Sequence, residues 1–253
     1  MVDLGMNHSY FLPHFDQLSG NYKIIFFDQR ASGKSAVPSA DSISLKFFTE
    51  DIEALRKKLG IEKLNLLGHS WGAIPAVHYG ITHPEHVKSV ILCNAVPLNK
   101  TFDSEVAKNQ KGKFTKLDSV DRADILSSPA FKAREPESYK KLLLLSFRHS
   151  FYNPVHISQL QFDVPKNYAA ASRALFTGLG KELGQYDFYD DVRRFNFPVL
   201  IIHGRADSIP LEASTQVEKS VPNSKIIIFK KSGHFTFIDE PEKFQRVLLK
   251  FLK

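Results

Sequence analysis

The chain of 253 residues has one cysteine, one tryptophan and two methionines. A single thiol, Cys93, excludes an internal disulfide framework and fits a reducing compartment. It sits in the apolar run "VILCNA", which assigns it to packing rather than chemistry. No apolar run approaches the roughly 18 residues that a membrane span needs; "KLLLLSF" is far too short. The opening "MVDLGMNHSYF" has neither the basic start nor the apolar stretch of a secretion signal. A cytoplasmic protein with no membrane partner is therefore expected. Charge of one sign is not concentrated either. Net charge is +7, but lysine and arginine are interleaved with acids and form no long basic block, so no nucleic-acid partner is expected.

What is present is alternation. Five short β-branched and aliphatic runs read as buried strands: "YKIIFFD" (22–28), "KLNLLGH" (63–69), "VKSVILCN" (87–94), "FPVLIIHG" (197–204) and "SKIIIFK" (224–230). Helical patterns lie between most of them. "LKFFTEDIEALRKKLG" ends in Gly60, a C-terminal cap signal, and "GAIPAVHYGITHP" stops before Pro84. "PLEASTQVEKSVP" and "EPEKFQRVLLKFLK" add two more helices. Strand alternating with helix predicts an α/β fold with a mostly parallel sheet, covered on both faces. The alternation fails from 97 to 196, where helical stretches such as "ESYKKLLLLSFRHSFY" and "NYAAASRALFTGLG" predict a helical insertion. The expected organisation is a core of 1–96 and 197–253 with a helical cap of 97–196.

Gly68-His69-Ser70-Trp71-Gly72 matches G-x-S-x-G, with an apolar strand before it and an Ala-rich helix after it. That context places a serine on a tight turn, and the flanking glycines let strand and helix approach closely. A serine hydroxyl needs a base, and the base needs an orienting carboxylate. Asp207 follows the strand "VLIIHG" and His234 follows "KIIIFK", both at the carboxyl edge where parallel sheets carry their functional groups. The order Ser70, Asp207, His234 makes these three the candidate nucleophile, acid and base. The backbone N–H of Trp71 is the candidate oxyanion donor. Such a set requires no metal or organic cofactor.

Two decoys are set aside. "ASGKS" ends like a phosphate-binding loop, but Asp28 stands where that motif needs its first glycine, and no helix follows directly. His83 and His86 are interrupted by Pro84 and have no supporting carboxylates. The aromatics of the insertion are first its own core; among them Phe147 and Phe151 are candidates for touching substrate, with His69 beside the nucleophile.

These residues resemble the α/β-hydrolases, and the N-terminal third is most similar to the proline iminopeptidase-like branch. "FFDQRASGKS" is similar to that branch's D-Q-R-G-x-G-x-S turn, with Ala31 in place of a glycine, and "NHSYFLPHFDQLS" resembles the helix after its His-Gly-Gly-Pro-Gly loop. "PVLIIHGRADSIP" and "SGHFTFIDEPEKF" resemble the acid and histidine segments. The resemblance implies a serine hydrolase that cleaves an ester, an amide or a short peptide through an acyl-enzyme. His69 departs from the branch, which has glycine before the serine. The branch's caps also carry tryptophans and glutamates that bind a free amino terminus, whereas the one tryptophan here, Trp71, is spent in the turn, and acids such as Asp163, Glu182 and Asp187 read first as solvated cap charges. Aminopeptidase activity is thus the second expectation, behind a small ester or amide. Aligning Gly5 with the last glycine of the family's loop leaves that loop and the strand before it without counterparts. Asp3 then becomes the stand-in for the second oxyanion donor. The expectation drawn from this is a shortened chain, with a catalytically impaired binding relative as the contrary reading.

Overall fold

The computed structural model describes Met1 and residues 5–253. Four parallel strands, β1 (Leu64–His69), β2 (Val87–Cys93), β3 (Val199–Gly204) and β4 (Ser224–Phe229), form one sheet in the order β1-β2-β3-β4. Successive side chains of a strand point to opposite faces, and the packing follows that rule. Val90, Leu92, Val199 and Ile201 enter one apolar core, while Ile91, Cys93, Leu200 and Ile202 enter the other. The pairings His69 with Cys93, Cys93 with Ile202 and Gly204 with Phe229 bring the carboxyl ends of all four strands to one edge.

The first core is covered by α1 (Leu45–Lys58) and α2 (Ala73–Thr82). Helix α1 begins on Ser44, whose side chain accepts from the Phe47 N–H. It ends as its sequence predicts: Gly60 turns left-handed at φ 63°, its N–H bonds Lys57, and the Ile61 N–H bonds Arg56. Glu53 of α1 accepts from Arg56 (2.7 and 2.8 Å) and from the Tyr79 hydroxyl of α2 (2.7 Å), so the buried carboxylate joins the two helices.

Between β2 and β3 the chain is helical: α3 (Asp103–Lys113), α4 (Lys116–Ser127), α5 (Pro129–Lys132), α6 (Pro136–Phe147), α7 (Tyr168–Leu183) and α8 (Tyr189–Val192). Helix α4 starts with a reciprocal cap, in which Thr115 and Asp118 bond each other's backbone N–H groups. Glu182 of α7 accepts from the Leu45 N–H at 2.7 Å, tying this helical segment to the start of α1. The fold closes with α9 (Leu211–Ser220), α10 (Thr236–Asp239) and α11 (Pro241–Leu252). Among the described residues no helix is long and apolar enough to cross a membrane.

One expected strand is absent. Residues 22–28 join no ladder, although "YKIIFFD" is as apolar as the strands that do. An apolar slot of about 350 Å³ separates this segment from β1, lined by Ile25, Phe27, Leu64 and Leu66 among others. A strand is defined by its partner as much as by its residues, and among the described residues none pairs with this segment. At one end of the slot Met1 meets β1, accepting from the His69 N–H through its carbonyl and donating its amino group to Leu67. Burial pushes that amino group down to about 5.

Candidate active site

Ser70 sits directly after β1 with φ 55°, a left-handed conformation that only a few per cent of non-glycine residues adopt. Such a conformation costs roughly 1–2 kcal/mol and persists only where its surroundings enforce it. Gly68 is part of the enforcement. A Cβ there would lie 2.4 Å from the Gly72 carbonyl oxygen and 2.6 Å from the Ala73 Cα, so only glycine lets the helix fold back over the strand. The chain then makes one 3-10 turn, Ser70–Gly72, and runs into α2. The Trp71 N–H therefore lies in the first turn, where a helix offers its own amides no acceptor.

The loops after β3 and β4 are laced together, with Arg205 N–H bonding Phe229 and Ala206 N–H bonding Ser232. This lacing brings Asp207 Oδ2 to 2.9 Å from His234 Nδ1. The same oxygen accepts from Asn94 Nδ2 at 2.7 Å, and Oδ1 accepts from the Ile209 N–H at 3.2 Å. Burial alone would raise the Asp207 pKa. The charge and hydrogen bond of His234, with help from His203 and Asn94, outweigh it and hold the carboxyl below its ordinary range. The carboxylate thus stays ionised and fixes which ring nitrogen of His234 carries hydrogen on its side.

Sequence reasoning missed the residues that hold this pair. Asn94 ends β2 at φ 46° and donates both to Asp207 and to the Gly233 carbonyl (3.1 Å). An asparagine just past a strand end was the available signal, since asparagine tolerates the left-handed region. The Ser150 carbonyl, just beyond α6, accepts from the His234 N–H at 2.6 Å. A Cβ on Gly233 would stand 2.2 Å from that same oxygen, so this contact too requires glycine. Asp239 accepts from the Gly233 N–H (2.8 Å) and the Tyr152 N–H (2.9 Å), joining the histidine loop to the helical segment. These partners are distant in sequence, and no local pattern announces them.

His69 was expected to touch substrate, yet it is fully enclosed and lies behind the serine rather than in the cleft. Its Nε2 lies 2.9 Å from the His234 carbonyl oxygen, which can only accept, so Nε2–H donates there. Nδ1 then accepts from the Tyr10 hydroxyl at 3.0 Å. Burial first, then the nearby charge of His234, lowers the His69 pKa to about 3, so the ring is neutral. It positions the backbone of His234. Cys93 beneath it is inert, its thiol pushed up to about 12 by burial.

A cleft of about 820 Å³ lies over the carboxyl edge of the sheet, bordered by Ser70, Trp71, Asp207 and His234 below and by α3, α4 and α6 above. Phe147 lines it, as the sequence suggested. Phe151 stands outside it, stacked on Phe235 at 4.9 Å where the fold needs apolar packing. Asp3 lies outside the described residues.

The comparisons give the family and the fold. The alpha/beta hydrolase fold family profile matches residues 4–241, and the chain belongs to that family. It is a hydrolase of the proline iminopeptidase-like branch. It is 30% identical to the proline iminopeptidase of Clostridium botulinum over 262 aligned residues, covering 98% of this chain and 86% of that protein. The enzyme of the same name from Thermoplasma volcanium is 24% identical, over 98% and 85% of the two chains. Among solved structures, the proline iminopeptidase of Mycobacterium smegmatis superposes with a TM-score of 0.70 at 22% identity, over 98% of this chain and 85% of that one. An esterase from Exiguobacterium antarcticum superposes with a TM-score of 0.71 at 21% identity, over 99% and 90%.

Proposed function

We propose that this chain is a serine hydrolase that cleaves an ester or amide bond of a small substrate with Ser70, His234 and Asp207. One observation carries the reading: a serine held at positive φ on a strand-to-helix turn borders the same cleft as a histidine whose far nitrogen is bound to a buried carboxylate. Ser70 Oγ attacks the carbonyl carbon while His234 Nε2 takes its proton, and Asp207 stabilises the imidazolium formed. The Trp71 N–H bonds the tetrahedral oxyanion. As the oxyanion collapses, its electrons re-form the carbonyl, the bond to the leaving group breaks, and His234 returns the proton to that group. Water, deprotonated by the same histidine, then attacks the acyl carbon; the bond to Ser70 Oγ breaks and His234 returns the proton to that oxygen, which releases the acid and restores Ser70. In this reading α3, α4 and α6 act as a cap over the nucleophile, and residues 97–196 are the cap domain.

The relatives named proline iminopeptidase support a second reading, removal of an amino-terminal proline. A fluorophosphonate probe tests the common step. Labelling of the intact protein that vanishes in Ser70→Ala and falls at least a thousandfold in rate in His234→Ala is expected. Folded protein that takes no label would sink the reading and leave a binding relative. Nitrophenyl esters set against proline arylamides separate the two substrates.

A further inference from the structure

The cleft over Ser70 is mostly apolar, with Val96, Phe114, Phe147, Leu183 and Ile209 in its walls. Its charged groups are unequal in sign. Asp103 is the carboxylate on the helical side, and it is ion-paired with Lys100. Asp207 is bound by His234, Asn94 and the Ile209 N–H, as described. His149 also borders the cleft, and its partner Asp118 is buried and already bonded by Arg148 and Thr115. No carboxylate in the described wall is therefore free to receive an ammonium group.

Two cations of the wall have no ion pair among the described residues. Arg122 of α4 has no ion pair or hydrogen bond among the described residues. Lys113, at the end of α3, donates to the Ala206 carbonyl at 2.6 Å, a neutral acceptor rather than a carboxylate. Burial lowers the Lys113 pKa, with Asp207 pulling it back up. A cleft with low-dielectric walls concentrates such a field, and the chain as a whole carries +7. A cationic substrate end would meet like charge here; an anionic one would meet two cations that no carboxylate pairs.

We propose that the cleft selects an ester or amide with an apolar body and a carboxylate, received by Arg122 and Lys113, and disfavours substrates with a free amino terminus. The proposal rests on Ser70 being the nucleophile. It assigns Arg122 and Lys113 to specificity and leaves the bond-breaking steps unchanged.

The test compares the 4-nitrophenyl monoester of glutaric acid, 4-nitrophenyl pentanoate of similar length, and proline 4-nitroanilide. The expected kcat/KM for the anionic ester exceeds that for the neutral one by about tenfold, and added salt shrinks the ratio as exposed charges are screened. In Arg122→Gln, and separately in Lys113→Gln, that ratio falls about five- to tenfold, with the loss in KM. Arg122 is exposed, so its variant tests the charge without disturbing the core. A parent that prefers the neutral ester or the proline anilide, or ratios that neither variant moves, would overturn the charge selection while leaving the serine mechanism standing. Absence of fluorophosphonate labelling and of turnover with all three substrates would overturn both.

Discussion

The two sides of the sheet make an instructive pair. On one side, β2 and β3 each have a strand on both flanks, and nearly every residue in them is buried. On the other side, residues 22–28 carry an equally apolar run but face a slot of about 350 Å³, and no ladder forms. In the proposed mechanism the chemistry follows the paired side. Asn94, Asp207 and His234 leave β2, β3 and β4, whose ends are fixed by their register and by bonds between the loops. Ser70 leaves β1, the strand shared between the two regimes, and depends on Gly68 and α2 for its conformation. Parallel pairing fixes position along a strand as well as direction, and His234, which leaves the edge strand β4, is held in addition by the bonds between the loops after β3 and β4.

Breaking the paired side at the site should have the largest consequence. Asp207→Ala leaves Asn94 Nδ2 and His234 Nδ1 without their common acceptor, and hydrolysis should fall by about 10⁴-fold in kcat while the substrate still binds. Steady-state kinetics on the folded variant checks this.

Packing offers a direct contrast between the two sides. Ile201→Ala in β3 empties a fully buried position and should cost about 2–5 kcal/mol. Ile25→Ala, beside the slot, removes a half-buried side chain and should cost less than half as much. Urea midpoints of the two variants measure the difference; equal losses would refute the contrast.

The paired side also stores charge. Because the Asp207 pKa is lowered on folding, the folded protein binds fewer protons than the unfolded chain between the two values. The carboxylate's contribution is therefore complete above the unfolded value of about 3.9 and is lost as pH falls through the folded one. Between pH 5 and 2 the parent should lose on the order of 1–3 kcal/mol more stability than Asp207→Asn, which has no such proton to gain. Unfolding followed across that range reads the sign directly.

The smallest effect is the most specific to the slot. Ile25→Phe adds bulk where space exists and should change stability by about 1 kcal/mol or less, in the favourable direction, whereas Ile201→Phe should cost about 1–3 kcal/mol by overpacking. Thermal melts of the pair sharpen the comparison at its low end.

Much of this was legible in residue order. Four of five strands fall where apolar runs predict them, and α1 stops at Gly60 because that position requires a left-handed residue. Ser70 could be picked out because Gly68 and the flanking strand and helix leave a local signature. Asp207 and His234 could be picked out because each follows a strand of the same sheet. Three expectations failed for one shared reason. Tyr22–Asp28 is not a strand, and His69 and Phe151 both stand outside the cleft, since pairing and burial depend on neighbours far along the chain.

The sequence alone determined what is local or periodic: four of the strand runs, where α1 stops, and which serine stands on a strained turn. Tertiary structure decided the rest. Asn94, the Ser150 carbonyl, Asp239 and Tyr10 become parts of the site only when segments dozens of residues apart meet. The cleft's balance of charge was decided in the same way. Lysine and arginine alternate with acids along the chain, but among the described residues ion pairs take up some and leave Lys113 and Arg122 without one. Electrostatics depends on distance in space, which residue order does not contain.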